Sequence, residues 1–318
     1  MRAFVFPGQG AQTIGMGRDL AEAFPEARAV FDAVDAALGE DLSGLIWSGD
    51  IETLTLTRNA QPALMATSIA ALRALEARGV SVARDAAFVA GHSLGEYSAL
   101  VAAGALTLSD AARLLRLRGE AMQSAVPVGE GAMAALLGLG LDDARAVAEE
   151  AAQGDICQAA NDNDPSQVVI SGDRAAVERA VGLAKERGAK RAMLLPVSAP
   201  FHCELMAPAA RIMAEALDDV EISDPVVPLV ANVTAAPVQD ATAIRSLLVE
   251  QVTGAVRWRE SVARMAAEGV TDVWEIGAGK ALSGMVRRID RSLTTLAVGD
   301  AAQVDEAAKH VEEGAANV

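Results

Sequence analysis

The sequence runs to 318 residues, which at about 100 to 200 residues per domain allows one large domain, or one large domain with a smaller one inserted. Hydrophobic residues make up 52%, charged residues 22% and aromatic residues 3%, a composition that specifies an alanine-rich globular chain and excludes disorder, collagen and coiled coil. Against 43 acidic residues stand 27 lysines and arginines, and the net charge of -16 makes nucleic acid a poor partner.

Stretches free of charge do not exceed 15 residues, and the one at 225–239 is interrupted by Pro225, Pro228 and Pro237, short of the roughly 20 apolar residues a membrane-spanning helix needs. The first apolar run, Ala3 to Phe6, stops at Pro7, too soon for the core of a secretory signal. The chain is therefore expected to be cytoplasmic and to stay out of the membrane. Cys157 and Cys203 are too few for a disulfide framework, and three histidines without a Cys/His cluster give no basis for a metal site. No cofactor is expected.

In chain order, the strand-like run Ala3–Phe6 enters the loop Pro7-Gly8-Gln9-Gly10-Ala11-Gln12. Its glycines let backbone approach a ligand, and a backbone N–H there could donate to an oxyanion. The loop is not a dinucleotide motif, because Thr13 stands where a glycine is required, and Gly279-Lys280-Ala281 lacks the hydroxyl residue of a phosphate loop. Helix-like stretches at 19–38 and 60–78, a strand-like Ala86–Ala90 and a helix-like 94–103 follow, an alternation that specifies an α/β frame.

Residues 86–104 read AAFVAGHSLGEYSALVAAG, which sets Gly91-His92-Ser93-Leu94-Gly95 between a strand and a helix. That is G-x-S-x-G in its required context: a tight turn holds the Ser93 hydroxyl out while the following helix aims unpaired N–H groups at a developing oxyanion. Ser93 is the candidate nucleophile. Next, Thr107 and Asp110 have capping-box spacing and start a helix. Positions three and four away from Arg118 are Leu114, Leu115, Ala121 and Met122, whereas Arg113 and Arg116 share a different, polar side. Arg118 thus projects from an apolar stripe, and either a carboxylate of the fold pairs with it or it awaits an anionic ligand, which its planar fork suits.

From about 131 to 197 the rhythm changes to β-α-β-β-α-β, flanked by Val126-Pro127-Val128-Gly129 and by Ser198-Ala199-Pro200. This is a ferredoxin-like small domain, 128–197, inserted in a large domain made of 1–127 and 198–318. A serine needs a base. His92 adjoins Ser93 and should diverge from it, and His310 lies in a polar tail expected to fray, which leaves His202, in the loop after the insert. No Asp or Glu stands out to orient its imidazole, a task a backbone or amide carbonyl could also perform.

Taken together, FPGQGAQ, NAQPALMATSIAAL, GHSLGEYSALVAAGAL, RLLRLRGEAM, ANDNDPSQVVISG, VSAPFHCELM, ANVTA and EIGAGKALSGMVRRI resemble, in order and over residues 1 to about 290, the malonyl-CoA:acyl-carrier-protein transacylases of dissociated fatty-acid synthesis. The resemblance implies an α/β-hydrolase-like large domain with a ferredoxin-like insert. It implies an acylated Ser93, His202 as general base oriented by the carbonyl of Gln251, and the N–H groups of Gln12 and Leu94 as oxyanion hole. Arg118 would bind the malonyl carboxylate with Met122 beside it, and Phe201 matches the malonyl-selecting form of its loop. Ala255 and Ala278 replace prolines usual in the family, which bears on loop rigidity only.

The activity so implied is ping-pong transfer of malonyl from malonyl-CoA to the phosphopantetheine thiol of acyl carrier protein, by an enzyme expected to be monomeric. An acidic carrier would need a local basic patch on this acidic protein, for which Lys190, Arg191, Arg287 and Arg288 are candidates. Three alternatives stay open: a thioesterase on the same turn, a carrier-binding protein without activity, and an acyltransferase serving a polyketide synthase.

Overall fold

The computed structural model describes residues 1–197 and 199–316. Its strands, in chain order, are β1 (Arg2–Phe6), β2 (Phe88–Gly91), β3 (Gly131–Leu137), β4 (Cys157–Asp164), β5 (Gln167–Asp173), β6 (Arg191–Leu194), β7 (Leu229–Val230), β8 (Pro237–Val238), β9 (Asp272–Ile276) and β10 (Thr294–Val298). They form two sheets in a mixed α/β molecule. The larger runs β10-β9-β1-β2-β7-β8, parallel except for β8, and the smaller runs β4-β5-β3-β6, antiparallel throughout.

Alternation along β1 shows why the large sheet is buried on both faces. Phe4 and Phe6 enter the main core, where Phe4 stacks on Trp274 at 5.5 Å, while Ala3 and Val5 point to the opposite core with Trp258 and Val262. The small sheet follows the same rule: Ala132, Ala134 and Leu136 of β3 pack under the helices Leu141–Ala152 and Arg174–Glu186, and Met133, between the first two, faces the main core.

The small sheet is fastened to the large domain on its β4 edge. There Asp162 N–H donates to Val256 O (2.9 Å) and Val256 N–H to Ala160 O (2.9 Å), an isolated parallel bridge. Arg259 grips Asp162 with Nε at 3.0 and 2.9 Å from its two oxygens, and Arg288 Nε donates to Asp164 at 2.7 Å.

Two expectations need correction. The C-terminal tail does not fray over its described part: Ala301–Ala316 is a helix, started by Asp300 Oδ1 accepting from Gln303 N–H (2.8 Å) and packed through buried Val304, Ala307 and Ala308. Residues 317 and 318 lie outside the described residues. Nor is Arg116 on a polar side. It is buried, bonded to Arg58 O (2.7 Å), Asn59 and Glu40 (2.6 Å), because the helix over Thr57–Ala77 covers that flank.

Candidate active site

The turn after β2 can form only with glycine on either side of the serine. A Cβ at Gly91 would lie 1.9 Å from the Gly95 carbonyl carbon, and one at Gly95 would lie 2.3 Å from Phe6 O. Between them Ser93 adopts φ 53°, the left-handed conformation that lifts its side chain off the sheet. Asn232, just beyond β7, ties the bend down: its Oδ1 accepts from Ser93 N–H (2.8 Å) and its Nδ2 donates to Gly91 O (2.6 Å). The helix Gly95–Ala102 starts directly afterwards.

His202 is brought to the turn from the loop beyond the small domain, itself at φ 58°. Its Nε2 lies 2.8 Å from Ser93 Oγ, and its Nδ1 faces the carbonyls of Gln251 (2.9 Å) and Gly254 (3.2 Å). Carbonyls only accept, so the ring proton sits on Nδ1 and Nε2 is left as an acceptor toward the hydroxyl. Burial, together with the Arg118 guanidinium, pushes His202 down to about 3, which leaves it neutral. The orienting carbonyls come from backbone, and no acid is needed. His92 does diverge, its Nε2 lying 2.9 Å from Asn163 Oδ1, and His310 is exposed.

Arg118 reaches the same point from the helix Leu108–Ser124, whose Thr107 cap accepts from Asp110 N–H at 3.1 Å. Gly119 lets that helix touch the one over Thr57–Ala77, since a Cβ there would lie 2.5 Å from Arg58 Cα. The crossing delivers Gln61, whose Oε1 accepts from Arg118 Nη1 at 2.7 Å. Arg118 Nη2 donates to Gln251 Oε1 (2.8 Å) and to Ser93 Oγ (3.2 Å). These partners are neutral. The carboxylate that acts on Arg118 is Glu96, one amide away: Gln251 Nε2 donates to Glu96 Oε2 at 3.2 Å, which also accepts from Asn232 N–H at 2.9 Å. Glu96 and Arg118 are each 1% exposed, and burial pushes the Glu96 carboxyl up to about 7.

A cavity of about 470 Å³ opens above these groups, with Gln12, Ser93, Leu94, Arg118, Met122 and Phe201 in its wall. Gln251 does not line it; it lies beneath, its carbonyl on His202 and its amide on Arg118. Gln12 folds its own loop, Oε1 accepting from Gly10 N–H at 2.7 Å. Among the described residues the backbone N–H groups of Gln12 and Leu94 meet no protein acceptor. A second cleft of about 540 Å³ lies on another side of His202, between Arg145, Cys157 and Thr253, and Ser93 is not in its wall.

The basic candidates fare unevenly. Strand register aligns Arg191, Leu137, Gln167 and Asp164 across one end of the small sheet, so Arg191 is about 14 Å, three strand spacings, from the aspartate that Arg288 binds. Arg288 is thus committed to the joint between the sheets, and Arg287 Nε donates to Thr295 Oγ1 at 2.8 Å. Residues that sequence reasoning assigned no role are Gln61, Glu96 and Asn232. Of these Glu96 carries a signal, as the lone carboxylate of the helix GEYSALVA, whereas Gln61 shares its helix with Arg58, Arg73 and Glu76 and Asn232 lies in a turn.

A strand-to-helix bend that presents a hydroxyl to a neutral imidazole defines the class of serine acyl-transfer proteins. Within that class the chain belongs to the acyl transferase domain family, whose model matches residues 3–306. It is 50% identical over 312 residues to the malonyl CoA-acyl carrier protein transacylase of Bacillus subtilis (strain 168), covering 98% of this chain and 97% of that relative. The crystal structure of the acyl-carrier-protein-S-malonyltransferase from Bartonella henselae superposes with a TM-score of 0.96 at 55% identity, over 98% of this chain and 99% of that one. A malonyl-transacylase in complex with its type II PKS acyl-carrier protein gives a TM-score of 0.94 at 45% identity, over 97% and 99%.

Proposed function

We propose that this protein transfers malonyl from malonyl-CoA to the phosphopantetheine thiol of an acyl carrier protein through a malonyl-Ser93 intermediate, supplying fatty-acid elongation. His202 Nε2 takes the Ser93 proton as Oγ bonds to the thioester carbon. The N–H groups of Gln12 and Leu94 hold the tetrahedral oxygen. The C–S bond then breaks, and His202 returns the proton to the departing CoA sulfur. In the second half the carrier thiol gives its proton to His202, attacks the ester carbon and displaces Ser93, which recovers the proton. The cycle consumes no cofactor.

The observation that carries this reading is Arg118: a guanidinium with no carboxylate in contact among the described residues, 3.2 Å from the nucleophile and inside the same cavity. A malonyl carboxylate supplies its missing partner, whereas acetyl leaves it without one, so the choice of acyl group is made there. A thioesterase has no use for such a residue. Intact-mass measurement after mixing with malonyl-CoA is expected to find the malonyl adduct, which a holo carrier then removes, and no adduct on Ser93→Ala. An adduct on that variant would exclude Ser93 as nucleophile, and release of free malonate faster than transfer would favour the thioesterase. Likeness to a malonyl-transacylase bound to a type II PKS carrier keeps a polyketide carrier as the second reading; competition between the two carriers for the acylated protein decides it.

Under this reading the unit 1–127 with 198–318 is α/β-hydrolase-like, supported by the parallel sheet with its bend after β2. The unit 128–197 is ferredoxin-like, supported by its βαββαβ order and the β4-β5-β3-β6 sheet. Among the described residues no helix is long and apolar enough to cross a membrane. We place the protein in the cytoplasm as a monomer, with Lys190, Arg191 and Arg287 receiving the carrier.

A further inference from the structure

We propose that Glu96 is the proton-linked counter-charge of the acyl site: ionised, it balances Arg118 through the Gln251 amide, and it takes up a proton from solvent when an acyl carboxylate pairs with Arg118. This deepens the malonyl-transfer reading and rests on it. The geometry requires the relay. Arg118 can only donate, so the Gln251 oxygen must face it at 2.8 Å, and the Gln251 nitrogen is then turned to the other side, where it donates to Ser93 O (2.9 Å) and to Glu96 Oε2 (3.2 Å). Two charges, each 1% exposed, are thereby joined without touching.

A carboxylate arriving at Arg118 would put a second negative charge beside one guanidinium in a water-poor site, and a buried charge without its own partner is costly. The arriving group is exposed to solvent before it binds, and Glu96 is not, so the buried carboxyl is the one that neutralises. Its shape allows this. Oε2 already accepts from Asn232 N–H and Gln251 Nε2, while Oε1 has no partner among the described residues, so a proton can sit on Oε1 with neither bond lost. Burial, holding Glu96 at about 7, sets the exchange near neutrality. The other ionisable groups nearby are Tyr97 on the same helix, raised by burial to about 12, and His202 and His92 across the turn, both lowered by burial. With Arg118 charged throughout, Glu96 is the carboxyl among these groups and the one whose ionisation opposes the incoming charge.

The test uses Ser93→Ala, which binds without reacting, titrated calorimetrically with malonyl-CoA near pH 7.5 in two buffers of different ionisation heat. Expected is uptake of a fraction of a proton with malonyl-CoA, none with acetyl-CoA, which carries the same nucleotide, and none with malonyl-CoA on Ser93→Ala/Glu96→Gln. The malonyl-CoA dissociation constant should rise several-fold from pH 6.5 to 8.5, below the tenfold per pH unit that one proton permits, and should be flat in the double variant. Equal uptake with both thioesters, or unchanged uptake after Glu96→Gln, overturns the assignment. Glu96→Gln keeps an acceptor for Asn232 N–H and sets its NH₂ at the unpartnered oxygen. Should it not fold, difference infrared spectra of Ser93→Ala decide, because a protonated-carboxyl band must grow on adding malonyl-CoA, and its absence refutes the exchange. A protein that binds malonyl-CoA at no pH, with no adduct on Ser93, would instead sink the transfer reading.

Discussion

Arginine faces carboxylate at the joint between the sheets and again on the floor of the cavity, and these two places are built in opposite ways. At the joint between the sheets Arg259 and Arg288 lie directly on Asp162 and Asp164, and the arginines keep 33% and 50% of their side chains in solvent while the aspartates are sealed. On the floor of the cavity both partners are sealed and an amide is kept between them. A direct pair satisfies its charges and is finished; a charge held one group away still has affinity for something else. The first arrangement suits a fixed joint, the second a site whose ligand brings the missing partner.

The largest expected effect follows from removing the charge that is held back. Arg118→Ala should lower kcat/KM for malonyl-CoA on the order of a thousandfold, from the ~3–5 kcal/mol lost when a buried pair is broken, and leave acetyl-CoA nearly unaffected. Steady-state acylation with both thioesters reads this, and an unchanged ratio would erase the functional half of the contrast. Arg259→Ala, at the joint, should do the reverse. It strands Asp162, 2% exposed in its side chain, and should cost about 2 kcal/mol, the buried-pair figure discounted for an arginine a third in solvent. Thermal unfolding should fall by a few degrees while turnover per folded molecule holds.

Glu96→Gln sharpens the comparison through pH. The folded carboxyl titrates at about 7, above the ordinary 4.5, so the folded state holds a proton that the unfolded state releases between those values. Stability from that proton is full below 4.5 and is lost as pH rises through 7. The variant should therefore match the parent near pH 4.5 and exceed it by ~3 kcal/mol at pH 8, a figure scaled from 1.36 kcal/mol per pKa unit. Chemical denaturation at the two pH values measures it, and a pH-independent difference would place the charge elsewhere. The smallest effect belongs to the surface: Arg287→Glu should raise carrier KM a few-fold with no change in unfolding, whereas Arg288→Ala should lower stability through Asp164. Equal carrier effects from both would return Arg288 to the docking patch.

Much of this was legible in the sequence where the signal is local. The bend at Ser93 needs two close glycines, Arg118 breaks an apolar stripe, and three histidines reduce to one by context. Groups whose meaning lies in a contact across the fold were not: Gln61, Glu96 and Asn232 converge from distant segments, Gln251 was reached only through the family resemblance, and no spacing announces a relay. The test that exposed Arg118, a polar group on an apolar helix, applies equally to Glu96. Arg116 was misjudged because periodicity separates two sides of a helix without saying what covers each. The C-terminal helix was misjudged from polar composition, although Asp300 and the spacing of Val304, Ala307 and Ala308 mark its cap and its inner face.

The stretch 254–257 serves both halves of the molecule at once. Gly254 O accepts, beside Gln251 O, from His202 Nδ1 and, two residues on, Val256 zips onto the edge of the small sheet. A chimaera that imported another relative's small domain while keeping its own 254–257 would therefore risk tilting the catalytic ring, and exchanging the two pieces together should be the grafting strategy that preserves turnover.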